Sequence, residues 1–357
     1  IDIPADIQHK ELPTKVYKNI PNIVKAIKST LESGQAKITT SDLHNKLNEA
    51  NQYLRNAERP LILLGGGARS KKDTANYVRE FVLNCEIPVV TTYAATDIIP
   101  HSYDHYLGCI GVKGNRAANF SVQNCDVLLV MGSRLPFAVT GYDRQAFAMN
   151  AKIVVIDVDT NEICKNELMF PKRMIQVNVD IEAVLKNDIL EKCNVNPKWQ
   201  KSCSDTKRAW DTIKENKFFF NYSGISIYHV MEEFQKTKYD NSNFVLDAGS
   251  ISYVGPTTLT YTLGRNFVFS PAQADMGCAL PSALGAASAS KSKSTYCITG
   301  DGSFMSNLQE LATLRQEGYD LKIILLNNHG YLSITNTQRN NYGNRIYGEH
   351  KGRGLYF

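Results

Sequence analysis

The chain has 357 residues, 43% of them hydrophobic and 21% charged, with a formal net charge of +5. This is an ordinary globular balance, long enough for two domains with separate cores. Lysines and arginines are interleaved with acids, so no basic tract points to nucleic acid, and no apolar run approaches the roughly 20 residues of a membrane-spanning helix.

Residues 1–12, IDIPADIQHKEL, form a stretch broken by Pro4 and followed by Pro13; it reads as the tail of a preceding unit. From there the pattern is β/α. Short aliphatic runs without alternation at 61–64, 88–92, 126–131, 152–157 and 174–177 predict parallel strands covered on both faces. Helical stretches lie between them, for instance 42–56 and 71–85, which gives a central doubly wound domain over 13–190. Residues 191–222, containing NPKWQKSCSDTKRAW, read as a polar connector. A second series occupies 223–357, with strands at 243–247, 266–269, 295–299 and 321–326 and helices near 225–237, 277–289 and 306–317. The fold class is α/β: two doubly wound parallel-sheet domains. The eight cysteines include no C-x-x-C pair, so zinc and dithiol chemistry have no support, and thiols inside apolar strands fit a reducing cytoplasm.

The segment that carries chemistry is 295–331, TYCITGDGSFMSNLQELATLRQEGYDLKIILLNNHGY. An apolar strand runs into Gly300-Asp301-Gly302-Ser303. A helix follows, with Ser306 and Gln309 in capping-box spacing and Gly318 as its stop. Leu308, Leu311, Ala312 and Leu314 would turn its apolar face to the sheet. A second strand then ends in Asn327-Asn328. Strand ends of a parallel sheet share one edge, so Asp301 and Asn328 can be neighbours. A carboxylate, an amide oxygen and a backbone carbonyl suit Mg²⁺, which takes few protein ligands and fills its shell with phosphate oxygens and water. Glycines let the backbone approach a phosphate, and a helix start near Ser306 offers free N–H groups. Either piece alone reads as a turn; the pair, with a helix between, points to a site.

GDG, then 24 residues, then NN resembles the motif of thiamine-diphosphate-dependent enzymes, and its neighbours resemble the acetolactate synthase-like branch. The resemblance implies Asp301, Asn328 and the Gly330 carbonyl as Mg²⁺ ligands, with Gly300, Gly302 and Ser303 at the diphosphate. The stretch 272–286, AQADMGCALPSALGA, resembles the family's segment under the thiazolium. There Met276 would force the bent cofactor conformation and Ala274 would offer its carbonyl to the 4′-amino group. Asp247-Ala-Gly-Ser resembles the loop at the other end of the diphosphate and implies Gly249 and Ser250; Ser250-Ile251 departs from the Gln-His found in many synthases. The resemblance also implies that 1–8 end the family's pyrimidine-binding domain, so the catalytic glutamate is not in this chain. The chain stops 29 residues after Asn328, which reads as a fragment or a split subunit, inactive alone.

In the central domain, Gly65-Gly66-Gly67 after a strand resembles a nucleotide-binding turn, although a plain tight turn serves as well. LGCIGVKGN with Gly111, then Gly132-Ser133-Arg134, then Asp157 resemble the family's flavin segments, which makes FAD a candidate second cofactor. Leu-Pro-Phe-Ala after Arg134 departs from the synthases' charged run. The implied activity is decarboxylation of a 2-keto acid with carboligation to a second carbonyl, by a homo-oligomer of at least two chains. The alternatives are a 2-keto acid decarboxylase or lyase, and a nucleotide-binding module without chemistry.

Overall fold

The computed structural model describes residues 40–348 apart from 72, 163–164, 166–169, 171, 192–194, 217–223 and 237–240. The expected tail at 1–12, and Cys164 and Cys193, lie outside the described residues. Apart from residues 40–43, everything below lies in one compact unit that begins at His44.

Helix α1 (Thr40–Asn56) leads into β1 (Pro60–Leu64), α2 (Thr74–Cys85), β2 (Val89–Thr91), β3 (Tyr106–Cys109), α3 (Arg116–Asn124), β4 (Val127–Met131), a one-turn α4 (Phe137–Thr140), β5 (Lys152–Asp157), β6 (Met174–Asn178) and α5 (Ile181–Lys186). The six strands form one parallel sheet in the order β3-β2-β1-β4-β5-β6. All five residues of β1 and of β4 are buried, as the runs PLILL and VLLVM require: each large aliphatic taken from water contributes about 1.5–3 kcal/mol. The chain reverses direction across the sheet between β1 and β4, which opens a crevice outside their C-terminal ends.

The segment expected to be a polar connector is mostly helical. Asn196 caps α6 (Pro197–Ala209), its side chain accepting from Lys198 N, with Pro197 in the first turn. Trp199 and Cys203 then enter the first sheet's core, and Trp199 Nε1 donates to Pro60 O at 2.9 Å. The polarity seen in the sequence is the helix's outer face.

After α7 (Thr212–Glu215) come α8 (Ile227–Lys236), β7 (Ser242–Leu246), α9 (Ile251–Thr258), β8 (Asn266–Val268), α10 (Ala279–Ala289), β9 (Ser294–Gly300), α11 (Asp301–Met305), α12 (Glu310–Glu317), β10 (Leu321–Leu326) and α13 (Leu332–Asn341). The second sheet is parallel, ordered β10-β9-β7-β8. Its direction reverses between β7 and β9.

One detail differs from the expected 306–317 helix. Gly300 is followed at once by the short α11, and α12 starts only at Glu310. Ser306 closes α11 with its N–H on Ser303 O, and no side-chain cap forms at Gln309. The capping box is not made, and the Ser306 N–H is not free for a ligand. Gly318 does end α12, at φ +64. Helix α12 has no buried residue; it packs against α10, with Leu311 on the cluster that contains Leu280 and Ala283.

The two sheets meet through polar contacts. Asp97, buried, pairs with Arg69 and accepts from Phe267 N at 3.0 Å. His101 makes a two-way bridge to Tyr261, its N–H donating to Tyr261 O at 2.9 Å and its Nδ1 accepting from Tyr261 N at 2.8 Å. Asn115 Nδ2 donates to Thr212 Oγ1 and to Thr257 O, each at 2.9 Å.

Desolvation, with Lys207 and Arg265 adding to it, depresses the His101 pKa from 6.5 to about 3. Between those values the unfolded chain binds a proton that the folded one refuses, so stability falls as pH is lowered from about 6.5 toward 3. The slope approaches, at most, about 1.4 kcal/mol per pH unit. His101→Asn keeps an acceptor for Tyr261 N and removes the titration; denaturant unfolding across this window should show a shallower pH dependence for the variant than for wild type.

Candidate cofactor site

The register of the second sheet places three strand ends together. Leu326 of β10 pairs with Gly300 of β9, and Leu246 of β7 with Ile298 of β9. The loops that follow carry the residues singled out in the sequence. Asp301, 5% exposed, accepts from Gly302 N at 3.0 Å through Oδ1 and from Gly330 N at 2.9 Å through Oδ2. One carboxylate thus joins the end of β9 to the loop after β10. Ser303 is buried, Gly300 half-buried and Asn328 exposed on that loop. Asn327 Oδ1 accepts from His329 N at 2.9 Å, which sets His329 at φ +65 ahead of Gly330 at φ +140.

Gly302 is glycine for a reason the sequence did not reveal. A Cβ there would lie 2.2 Å from Cε1 of Tyr331, so the tyrosine ring packs directly on its backbone.

The loop from 270 to 278 docks on α11. Gly277, at φ +87, would place a Cβ 2.7 Å from Ser306 Cβ and 3.0 Å from Ser303 O, and Asn307 Nδ2 donates to Gly277 O at 2.7 Å. Ala274 sits at φ +54 with its N–H on Ser270 O at 3.0 Å. The left-handed region costs a non-glycine residue about 1–2 kcal/mol, and such strain concentrates at ligand-binding loops. Met276 is 45% exposed, a large apolar side chain presented rather than packed away. Gly249, at φ +80, has open space where a Cβ would point, and Ser250 Oγ accepts from Tyr253 OH at 3.2 Å.

The sequence reading named Asp247 only as the start of Asp247-Ala-Gly-Ser and gave it no role; it directly follows β7 and is 1% exposed. Its Oδ1 accepts from Ala248 N at 2.7 Å and Gly277 N at 2.9 Å; its Oδ2 accepts from Thr299 Oγ1 at 2.9 Å and Ala279 N at 3.3 Å. The signal was a carboxylate directly after an apolar strand, a costly place for a charge unless its oxygens are answered.

The first sheet's crevice is built from backbone. A Cβ on Gly65 would lie 2.2 Å from Gly132 O, and one on Gly132, at φ +65, would lie 2.6 Å from Gly67 Cα. Gly65 N donates to Met131 O, Gly67 N to Gly132 O and Gly132 N to Ile156 O, at 2.9 to 3.0 Å. Gly66 is the least crowded of the triplet, though a Cβ there would still press on Ala94 Cβ at 3.3 Å. Arg134 is exposed, and Asp157, half-buried at the end of β5, accepts from Asp159 N at 3.0 Å. Gly111, at φ +124, is held by the Asn119 amide and would clash with Ala138 O. Among the described residues the buried Tyr93 hydroxyl has no partner in good hydrogen-bond geometry, the Lys113 N–H being the backbone group that faces it. Burial, with Cys109 next, raises the hydroxyl's pKa.

Residues 47–188 match the family described as thiamine pyrophosphate enzyme, central domain, and 247–355 match thiamine pyrophosphate enzyme, C-terminal TPP binding domain. The large subunit of acetolactate synthase isozyme 2 from Escherichia coli K12 is 28% identical over 90% of this chain and 57% of its own length. The probable acetolactate synthase large subunit of Methanocaldococcus jannaschii is 30% identical over 100% of this chain and 59% of its own. The chain belongs to the thiamine-diphosphate-dependent, acetolactate synthase-like family. It spans a little over half the length of these curated relatives.

Within this family fold, one edge of the second sheet gathers the loops bearing Gly249, Ser250, Gly300, Asp301, Gly302, Ser303, Asn328 and Gly330, and the loop with Ala274 and Met276 docks on it through Gly277 and Asn307. The candidate flavin residues belong to the first sheet: Gly65–Gly67, Gly132 and Arg134 follow β1 and β4, Asp157 ends β5, and Gly111 lies in the loop after β3. Among the described residues no group of three His, Cys, Asp or Glu side chains could hold a metal. No helix among them is long and apolar enough to cross a membrane.

Gly277→Ala meets both strain and collision and should destabilise the protein by about 2–4 kcal/mol. Gly249→Ala meets strain alone and should cost about 1–2 kcal/mol. Urea unfolding of the two variants checks the order.

Proposed function

We propose that the protein of which this chain is part uses thiamine diphosphate and Mg²⁺ to decarboxylate a 2-keto acid and join the remainder to a second carbonyl compound. The observation that carries this reading is the Asp301 carboxylate, buried between the ends of β9 and β10 and bonded to Gly302 N and Gly330 N.

The residues fit the group. Mg²⁺ accepts one carboxylate with neutral oxygens and leaves its other positions to phosphate and water. Asp301, Asn328 and the Gly330 carbonyl would hold it, each Asp301 oxygen keeping a lone pair beyond its N–H bond. Gly249, Ser250, Gly300, Gly302 and Ser303 would line the diphosphate. Met276 would lie under the thiazolium, with the Ala274 carbonyl toward the 4′-amino group; the exposure of Met276 and the strained backbone of Ala274 support that assignment. Thiamine diphosphate, when bound, supplies the electron sink for loss of CO₂ and carbon–carbon bond formation. The chain's own contribution is to anchor the phosphates, shape the cofactor and exclude water.

FAD is proposed for the crevice between β1 and β4. Its support is the direction reversal at Gly65–Gly67 and Gly132, where backbone rather than side chains lines the crevice, and the buried Tyr93 hydroxyl, which a polar ligand could bond. A homo-oligomer is proposed because large apolar side chains are exposed beside the cofactor edge: Met276, Met305, Leu332 and Ile334.

Asp301→Ala should abolish Mg²⁺-dependent thiamine diphosphate binding by calorimetry in the full-length protein; unchanged affinity would remove the metal assignment. Product analysis after feeding pyruvate separates ligation from aldehyde release. The purified full-length protein should be yellow and release flavin on denaturation, and a colourless protein that FAD cannot reconstitute would refute the flavin reading.

A further inference from the structure

We infer that Asp247 is a positioning residue of the cofactor site, fixing the three loops that meet the cofactor relative to one another. The inference rests on the thiamine diphosphate reading above and assigns a part of that site which the motif does not contain.

The carboxylate has four donors and they come from three places. Ala248 N belongs to the loop that carries Gly249 and Ser250. Gly277 N and Ala279 N belong to the segment that follows Ala274 and Met276. Thr299 Oγ1 lies two residues before Asp301. Asp247 also sits where the sheet reverses direction, between β7 and β9, and its own N–H donates to Ile298 O at 3.0 Å. At such a point no continuous strand pairing runs on to hold the two loops that leave in opposite directions.

The contacts require a carboxylate in its ionised, acceptor-only form. Four donors point at two oxygens, and a carboxylate accepts about four hydrogen bonds. An amide of the same shape presents an NH₂ to two of these donors and cannot satisfy them. Among the described residues no ion pair reaches Asp247 within salt-bridge distance, so its charge is held by dipoles and one hydroxyl.

A carboxylate that merely filled the core would stabilise the fold and leave binding alone. One that sets loop positions also changes how well a preorganised site meets its ligand. Asp247→Asn tests the whole set of bonds; Thr299→Val removes the link to β9 alone, and Thr299→Ser restores the hydroxyl. The measurement is calorimetric binding of thiamine diphosphate with Mg²⁺ to the full-length protein, at a temperature where circular dichroism shows each variant folded. Asp247→Asn should raise Kd about tenfold or more, Thr299→Val should raise it in the same direction by at least about threefold, and Thr299→Ser should stay within about twofold of wild type. Should Asp247→Asn fail to fold, the Thr299 pair decides. Lower unfolding midpoints with wild-type Kd in the folded variants would overturn the inference, because that is the signature of a structural role. Failure of the wild-type protein to bind thiamine diphosphate would overturn the cofactor reading and this inference together; binding by wild type, loss in Asp301→Ala and no change in the Asp247 and Thr299 variants would overturn this inference alone.

Discussion

A carboxylate leaves water only if its lone pairs are answered, and the second sheet is organised around two that are. Asp247 and Asp301 each end or follow a strand, each is almost fully buried, and each takes backbone N–H groups from loops distant in sequence. Because every donor is fixed to main chain or to a strand hydroxyl, the loops cannot shift without exposing the charge unpaired. Removing one partner from a buried charge typically costs about 3–5 kcal/mol. That penalty holds irregular backbone in place at an edge where no further strand pairing would do so. The left-handed conformations of Ala274 and His329 persist for the same reason: each lies within a few residues of a carboxylate-bound N–H.

The first sheet solves the equivalent problem without charge. At its reversal point the turns after β1 and β4 interlock by main-chain contact, Gly65 and Gly67 against Gly132, at separations that exclude a Cβ. Glycine serves there for close approach rather than for freedom of rotation, since Gly65 and Gly67 themselves do not sit at positive φ. The triplet read in the sequence as a nucleotide turn or a plain tight turn is therefore three residues with different duties, Gly65 and Gly67 locked against Gly132 and Gly66 facing Ala94. The two crevices of the molecule share a topology and differ in what locks them.

Much of the architecture was legible because buried parallel strands must be continuous apolar runs. Residues 152–157 and 321–326 coincide with β5 and β10, and the other predicted strands agree within a residue or two. Strand β3 escaped because it has only four residues and holds Gly108 at φ +104, where the pairing with β2 shifts register. Helix α9 escaped because Gly255 and Pro256 both read as breakers. Gly255 is required there, since a Cβ would lie 2.6 Å from Leu246 Cδ1, and packing on β7 outweighs the propensity penalty. The Ser306–Gln309 capping box was a valid local pattern, overridden when the chain turned helical directly after Gly300. In the site, the motif identified the residues with ligand-type oxygens. It could not identify Asp247, Thr299 or Asn307, whose importance arises from loops meeting in space.

The joint between the sheets uses the same loops that form the first crevice. Arg69 ends the turn that begins at Gly66 and pairs with Asp97, which in turn accepts the Phe267 N–H of β8. His101, in the loop between β2 and β3, bridges Tyr261. Lys113, in the loop with Gly111, sits 5.0 Å above the Tyr253 ring, whose hydroxyl donates to Ser250. The first two connections reach the start of β8 and the segment before it, and the third reaches the loop that carries Ser250. Ordering a loop costs about 1–2 kcal/mol per residue in backbone entropy. Loops already ordered by the joint do not charge that cost to a ligand. The Lys113–Tyr253–Ser250 path links the loop bearing Gly111 to the loop bearing Ser250 through two side chains and no continuous strand.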